Sequence, residues 1–231
     1  MPATARDEIL SRPGEAAETP APDTSISPRL PALDSSPLPS GPSLDDAACA
    51  RLWERCDLPH HIREHSARVA DAATFLAKRA VTAGLFPEVQ GPHLVAGVRA
   101  AALLHDLAKG YCILHGGSHA QLGAAWTLAL TNDPILAHGV LFHVWWPWNV
   151  DPMRHFLPLA VLYADKRVQH TDYVSLGARF TDLFERYGTT PHRRDRIRMS
   201  LEQAQAVEHC LSELLGVKLH AHSFDSRRLV S

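Results

Sequence analysis

The chain has 231 residues, a formal net charge of −2 and a pI near 6.7, long enough for one domain with a sizeable core and too evenly charged for a broad nucleic-acid surface. No apolar run approaches the roughly 18 residues of a membrane span, and no basic-then-apolar leader opens the chain. The four cysteines (Cys49, Cys56, Cys112, Cys210) form no CxxC pair, which fits a reducing, cytoplasmic setting, whereas the 15 histidines are an unusual count for a residue that serves as metal ligand and acid–base group.

Nine of the 17 prolines fall in residues 1–42, among Ser, Ala and Thr, with no apolar periodicity. This stretch is expected to be a disordered tail. From Ser43 onward the pattern is helical. Ser43-Leu44-Asp45-Asp46 is a capping pattern that opens a helix to about residue 55. A second helix is expected over about 59–84, with proline at its start and glycine at its end. His65, Val69, Ala72, Ala73, Leu76 and Ala80 share one face of it, so His65 points at the core.

A third helix is expected over about 92–110. It carries the most informative pair in the chain, His105-Asp106, inside the apolar run from Val98 to Ala108. A buried carboxylate normally has a partner or a metal. Ser118-His119-Ala120-Gln121 caps a fourth helix with His119 in its first turn, and Asp133-Pro134 starts a fifth. His143 is expected on the face of Leu136 and Val140, whereas His138 is about 140° away. Trp145-Trp146-Pro147-Trp148 reads as a loop whose rings either stack a base or anchor the loop. A sixth helix over about 153–168 places Asp165 on a stripe with Leu157, Val161, Ala164 and Val168. Two more helices follow, near 175–187 and 191–215. The basic cluster His192 to Arg198 reads as a solvated helix face. Residues 217–231 are expected to form a flexible tail. No strand is evident, and the class is all-α.

His65, His105, Asp106, His119, His143 and Asp165 therefore all aim inward, from five helices. Mixed imidazole and carboxylate donors suit Fe, Mn, Zn, Co or Ni. A carboxylate can bridge two ions, and two ions about 3.5–4 Å apart can hold a hydroxide for attack on phosphorus.

Three segments carry a resemblance: Glu64-His65-Ser66-Ala67-Arg68-Val69-Ala70, Leu103-Leu104-His105-Asp106-Leu107-Ala108-Lys109-Gly110 and Leu162-Tyr163-Ala164-Asp165-Lys166. Their order resembles the HD-domain superfamily of metal-dependent phosphohydrolases. Ser118 to Ala124 and Asp133-Pro134 through Phe142-His143 resemble the dinuclear branch that includes bacterial symmetrical dinucleoside-tetraphosphate hydrolases. The resemblance implies an HD-type helical domain over 43–216. It implies two divalent ions, with Fe and Mn placed first and Zn, Co, Ni and Mg as alternatives. His65, His105, Asp106 and Asp165 would hold one ion, and Asp106 would bridge to a second held by His119 and His143. Val144-Trp145-Trp146 stands where that branch has Thr-Thr-Gly, and Lys166-Arg167 where it leads into Glu-Pro; these departures bear on the substrate.

The function so implied is hydrolysis of a phosphorylated small molecule, nucleotide-like, by a metal-activated hydroxide centred on Asp106. No nucleic-acid or membrane partner is expected, and no oligomeric state is set. Lys109 would contact phosphate, or else serve as a helix C-terminal dipole partner. Arg68, three residues past His65, would clamp a phosphate oxygen or pair with Glu64. A nucleotide-binding regulatory domain without turnover and a di-iron oxygenase of the same fold are the alternatives.

Overall fold

The computed structural model describes residues 37–39, 41–221 and 224. Among these the chain is all-α. The helices are α1 (Asp46–Arg55), α2 (His60–Thr82), α3 (Gly91–Leu104), α4 (Lys109–His115), α5 (His119–Thr131), α6 (Pro134–Leu141), α7 (Phe156–Lys166), α8 (Leu176–Tyr187) and α9 (Pro191–Leu215). A two-residue hairpin, β1 (Val168–Gln169) antiparallel to β2 (Asp172–Tyr173), sits between α7 and α8. No described helix is long and apolar enough to cross a membrane.

Side chains at the starts satisfy the first free N–H groups of five helices. Asp45 accepts from the Ala48 amide (2.7 Å), Asp133 from Ile135 and Leu136, and Ser118, Ser175 and Thr190 cap α5, α8 and α9. At the centre lies α7, every residue of which is buried. Its first nine residues, Phe156 to Ala164, are apolar on every face, which is stable only when enclosed. α2 and α3 pack beside it through alanines (Ala70, Ala73, Ala77 and Ala80 on one, Ala100, Ala101 and Ala102 on the other), whose short side chains let the backbones approach closely.

Three expectations are corrected. First, the third helix does not run to Gly110 but stops at Leu104. The His105 ring donates from Nδ1 to the Ala102 carbonyl (2.7 Å) and Trp53 donates from Nε1 to the Leu103 carbonyl (2.9 Å), so side chains take carbonyls that a continuing helix would use. Residues 105–108 turn, and a separate short helix, α4, follows. Second, α6 ends at Leu141, which leaves His143 just past the helix rather than on it. Third, of the stretch 217–231 expected as a flexible tail, the described residues 219 and 224 are packed down, the rest of it lying largely outside the described residues: Leu219 is fully buried and its carbonyl accepts from Arg167 Nη1 (2.6 Å), while the Phe224 ring lies against Phe75 and under the Arg167 guanidinium. A buried arginine must place its donors somewhere, and this carbonyl is one of its acceptors.

The expected proline-rich tail lies mostly outside the described residues. Within it, Pro39 is buried against α3, and its ring occupies the space a side chain on Gly97 would need.

Helix α6 approaches α3 and α7 most closely at Gly139, where an added Cβ would lie 2.5 Å from Leu157 Cδ2 and 2.9 Å from Ala101 Cβ. Leucine can yield but an alanine Cβ cannot. Gly139→Ala is therefore expected to destabilise the fold by about 1–3 kcal/mol. Thermal denaturation would read this as a lower Tm, at about 2–4 °C per kcal/mol for a chain of this size.

Candidate metal centre

The site is assembled from five places in the chain. α2 supplies His65, the turn after α3 supplies His105 and Asp106, α5 supplies His119 at its first residue, the turn after α6 supplies His143, and α7 supplies Asp165. All but His119 are buried.

Three imidazoles are oriented by the main chain. His65 Nδ1 faces the His170 carbonyl (3.0 Å), His105 Nδ1 the Ala102 carbonyl (2.7 Å) and His143 Nδ1 the Val140 carbonyl (2.7 Å). A carbonyl only accepts, so each Nδ1 carries a proton and each ring turns its Nε2 toward the cluster. This is the arrangement that presents histidine to a metal ion.

The two oxygens of Asp106 divide the cluster. Oδ2 accepts from Lys109 Nζ at 2.6 Å and lies 3.3 Å from His105 Nε2. Oδ1 lies 3.4 Å from His119 Nε2 and 3.6 Å from His143 Nε2, and it has no hydrogen-bond partner among the described residues. His119 Nε2 and His143 Nε2 are 3.1 Å apart. On the other side His65 Nε2 is 3.1 Å and His105 Nε2 3.7 Å from Asp165 Oδ1, while Asp165 Oδ2 accepts from Lys166 Nζ at 2.7 Å.

Burial alone would raise both carboxyls, but charged and hydrogen-bonding neighbours overcome it: His105 and Lys109 hold Asp106 well below the usual range, and Lys166 and His105 do the same for Asp165. Both are therefore ionised. Burial would likewise lower His105, but Asp106 and Asp165 on either side raise it to about 9. His119 is the opposite case, pushed down by burial to about 4, and burial also lowers His143. The half of the site around Asp106 Oδ1 is thus a carboxylate oxygen with two neutral imidazoles.

This donor set fits metal. The ligand atoms of His65, His105 and Asp106 all lie within 4.8 Å of one another, and so do those of Asp106, His119 and His143. Donors about 2.0–2.2 Å from a common ion are separated by about 4.4 Å at most. The buried, unpartnered Asp106 Oδ1 and His105 Nε2 are the atoms an ion would satisfy.

Two cavities open on this centre. One, of about 440 Å³, is lined by His119 and His143 and by apolar side chains from the loop after α6 and from α8 and α9, including Trp145, Phe180, Leu183 and Ile197. The other, of about 530 Å³, lies on the His65 side and is lined by His61, Glu64, His170, Thr171 and Arg186. Asp106 and Lys109 line both. Arg196, from the cluster read as a solvated face, lines the first.

Seven of the eight residues expected at the site, Lys109 included, are brought together here. Arg68 is not. It lines neither cavity, and its guanidinium lies over the Tyr173 ring at 5.8 Å. Three residues past His65, it is turned about 60° aside, toward β2. Among the tryptophans only Trp145 faces the cavity; Trp146 is buried, with its indole N–H donated to the Asn149 carbonyl, and Trp148 packs on it. His138 packs between Phe142 and Trp146, away from the site. The four cysteines are free, and burial pushes the Cys49 thiol up to about 12. Comparison with protein-family models, curated proteins and solved structures finds no match.

Asp106 is the one donor common to both groups. Asp106→Ala is expected to remove most of the metal bound by the purified protein, measured by elemental analysis, while His138→Ala retains it. Equal metal content in wild type and Asp106→Ala would overturn the assignment.

Proposed function

We propose that this protein is a metal-dependent phosphohydrolase of the HD-domain kind, acting on a phosphorylated small molecule of the nucleotide class. The observation that carries the reading is the division of Asp106, with one oxygen turned to His105 and the other to His119 and His143, beside Lys109 and two cavities. A carboxylate so placed suits bridging. His65, His105, Asp106 and Asp165 would hold one divalent ion, and Asp106, His119 and His143 a second, with Fe and Mn favoured. Such ions would supply Lewis-acid polarisation of phosphoryl oxygens and acidify a water.

The remaining roles fall to the chain's own groups. Lys109 is in contact with Asp106 yet reaches both cavities, so its ammonium is placed to neutralise negative charge on a phosphate. Lys166 secures Asp165 through its Oδ2 and leaves Oδ1 to face the imidazoles. The apolar wall with Trp145 would take the organic part of the substrate, and a ring there favours a base.

The test is release of phosphate from a panel of nucleotides and other phosphorylated metabolites by protein loaded with Mn²⁺ or Fe²⁺. Turnover is expected, and its absence across the panel would refute the reading. Calorimetric titration is expected to give two equivalents of metal per chain in wild type. His119→Ala should keep one, with activity lower by orders of magnitude because one of two Lewis acids is lost. One equivalent in wild type, unchanged in His119→Ala, would refute the two-ion arrangement.

A further inference from the structure

We infer that Arg179 is a second anion-binding group of this site, gripping a phosphoryl oxygen of the substrate together with Lys109 on the wall that the two cavities share. The chemical class of the anion rests on the phosphohydrolase reading above; the choice of residue rests on four observations.

The first is position. Arg179 lines both cavities, as do Asp106, Lys109 and Tyr187. The second is an unused donor. Arg179 Nη1 donates to Asp182 Oδ2 at 3.2 Å, but its Nε is buried with no hydrogen-bond partner among the described residues. A buried guanidinium N–H is rarely left without an acceptor, and an oxyanion in the cavity would supply one. The third is charge. Lys109 lines the same shared wall as Arg179, and Arg196 lines the first cavity as well. Asp106 and Asp182 answer part of this charge, and an anion between the cations would answer more of it. The fourth is placement on the helix. Leu176, Phe180 and Leu183 form the inward stripe of α8, and Arg179, three residues after Leu176, stands at its edge with its side chain only 16% exposed.

The pieces suit a phosphate. A planar guanidinium offers directed N–H donors and a lysine a mobile point charge. Asp182 holds the guanidinium in place without saturating it, since the same carboxylate also takes Arg186 Nε at 2.9 Å. Arg179 thus fills the role that spacing alone assigns to Arg68.

The experiment is calorimetric titration of inorganic phosphate into the full chain loaded with Mn²⁺, with the metal content and Tm of every variant measured alongside. Wild type is expected to bind phosphate. Arg179→Met should weaken binding about tenfold or more with metal content unchanged. Arg179→Lys should lose several-fold, because charge remains and the planar fork does not. Asp182→Ala breaks the same ion pair but keeps the guanidinium, and it should retain most of the affinity. Wild-type affinity in Arg179→Met overturns the inference, and so does an equal loss in Asp182→Ala, which would make Arg179 only a partner of that carboxylate. If Arg179→Met does not fold, Arg179→Lys decides, and undiminished binding there overturns the inference. Wild type that binds no phosphate overturns it too. Phosphate binding that depends on Arg179, in a protein that hydrolyses nothing, would uphold the anion site and refute the phosphohydrolase reading.

Discussion

The carboxylate of Asp106 is fully buried, and a charge in that position persists only where its field is answered from every side. One oxygen is answered by His105 and Lys109; the other, without a hydrogen-bond partner among the described residues, faces His119 and His143, where an ion would answer it. Those four partners come from the turn after α3, from α4, from α5 and from the turn after α6. The way these elements meet can therefore be read as the means of surrounding one anion. Asp165 repeats the theme at the end of α7, with Lys166 in the part played by Lys109.

A single local device positions two of the candidate ligands. His105 and His143 each stand just beyond the end of a helix, and each donates its Nδ1 proton to the carbonyl three residues earlier, both at 2.7 Å. Each carbonyl lies in the last turn of its helix, where regular i→i+4 partners run out. Capping the helix and aiming the imidazole are then one hydrogen bond, and the ligand's orientation follows from where the helix stops. His65 needs a different support because it lies within α2. Its Nδ1 finds the carbonyl of His170, a residue with positive φ in the turn of the β1–β2 hairpin. An element of two paired residues on each side thus exists where a ring nitrogen needs an acceptor.

Much of this is legible in the sequence because the informative residues break a pattern. His65, Asp106 and Asp165 are polar groups on otherwise apolar faces, and the caps of α5 and α6 are spelled out by Ser118 and Asp133. The end of α3 is not legible, since the apolar run continues through Leu107-Ala108. It is set by hydrogen bonds from His105 and from Trp53, fifty positions away. The hairpin is too short to show an alternation, and the anchoring of Leu219 depends on Arg167, which is remote in sequence. Arg68 is misplaced by spacing alone, because i+3 leaves a residue about 60° off the reference face and Tyr173 draws the guanidinium there. Arg179 carried the same signal as the carboxylates, a charge beside the Leu176, Phe180, Leu183 stripe, but in a segment without a recognisable motif.

The complete enclosure of α7 bears on how the molecule assembles. A helix of eleven residues is marginal by itself in water, and one whose first nine residues are apolar on every side gains its stability only when neighbours cover it. Those neighbours include α2 and α9, drawn from both ends of the domain, and Asp165 meets His65 across 100 positions of chain. Closing such a loop is entropically costly until the surrounding contacts exist. The Asp165 half of the candidate centre therefore depends on closing long stretches of chain around the middle helix. The turns that aim His105 and His143 are local and need no such closure. The two halves of the candidate site thus differ in the length of chain that each must close.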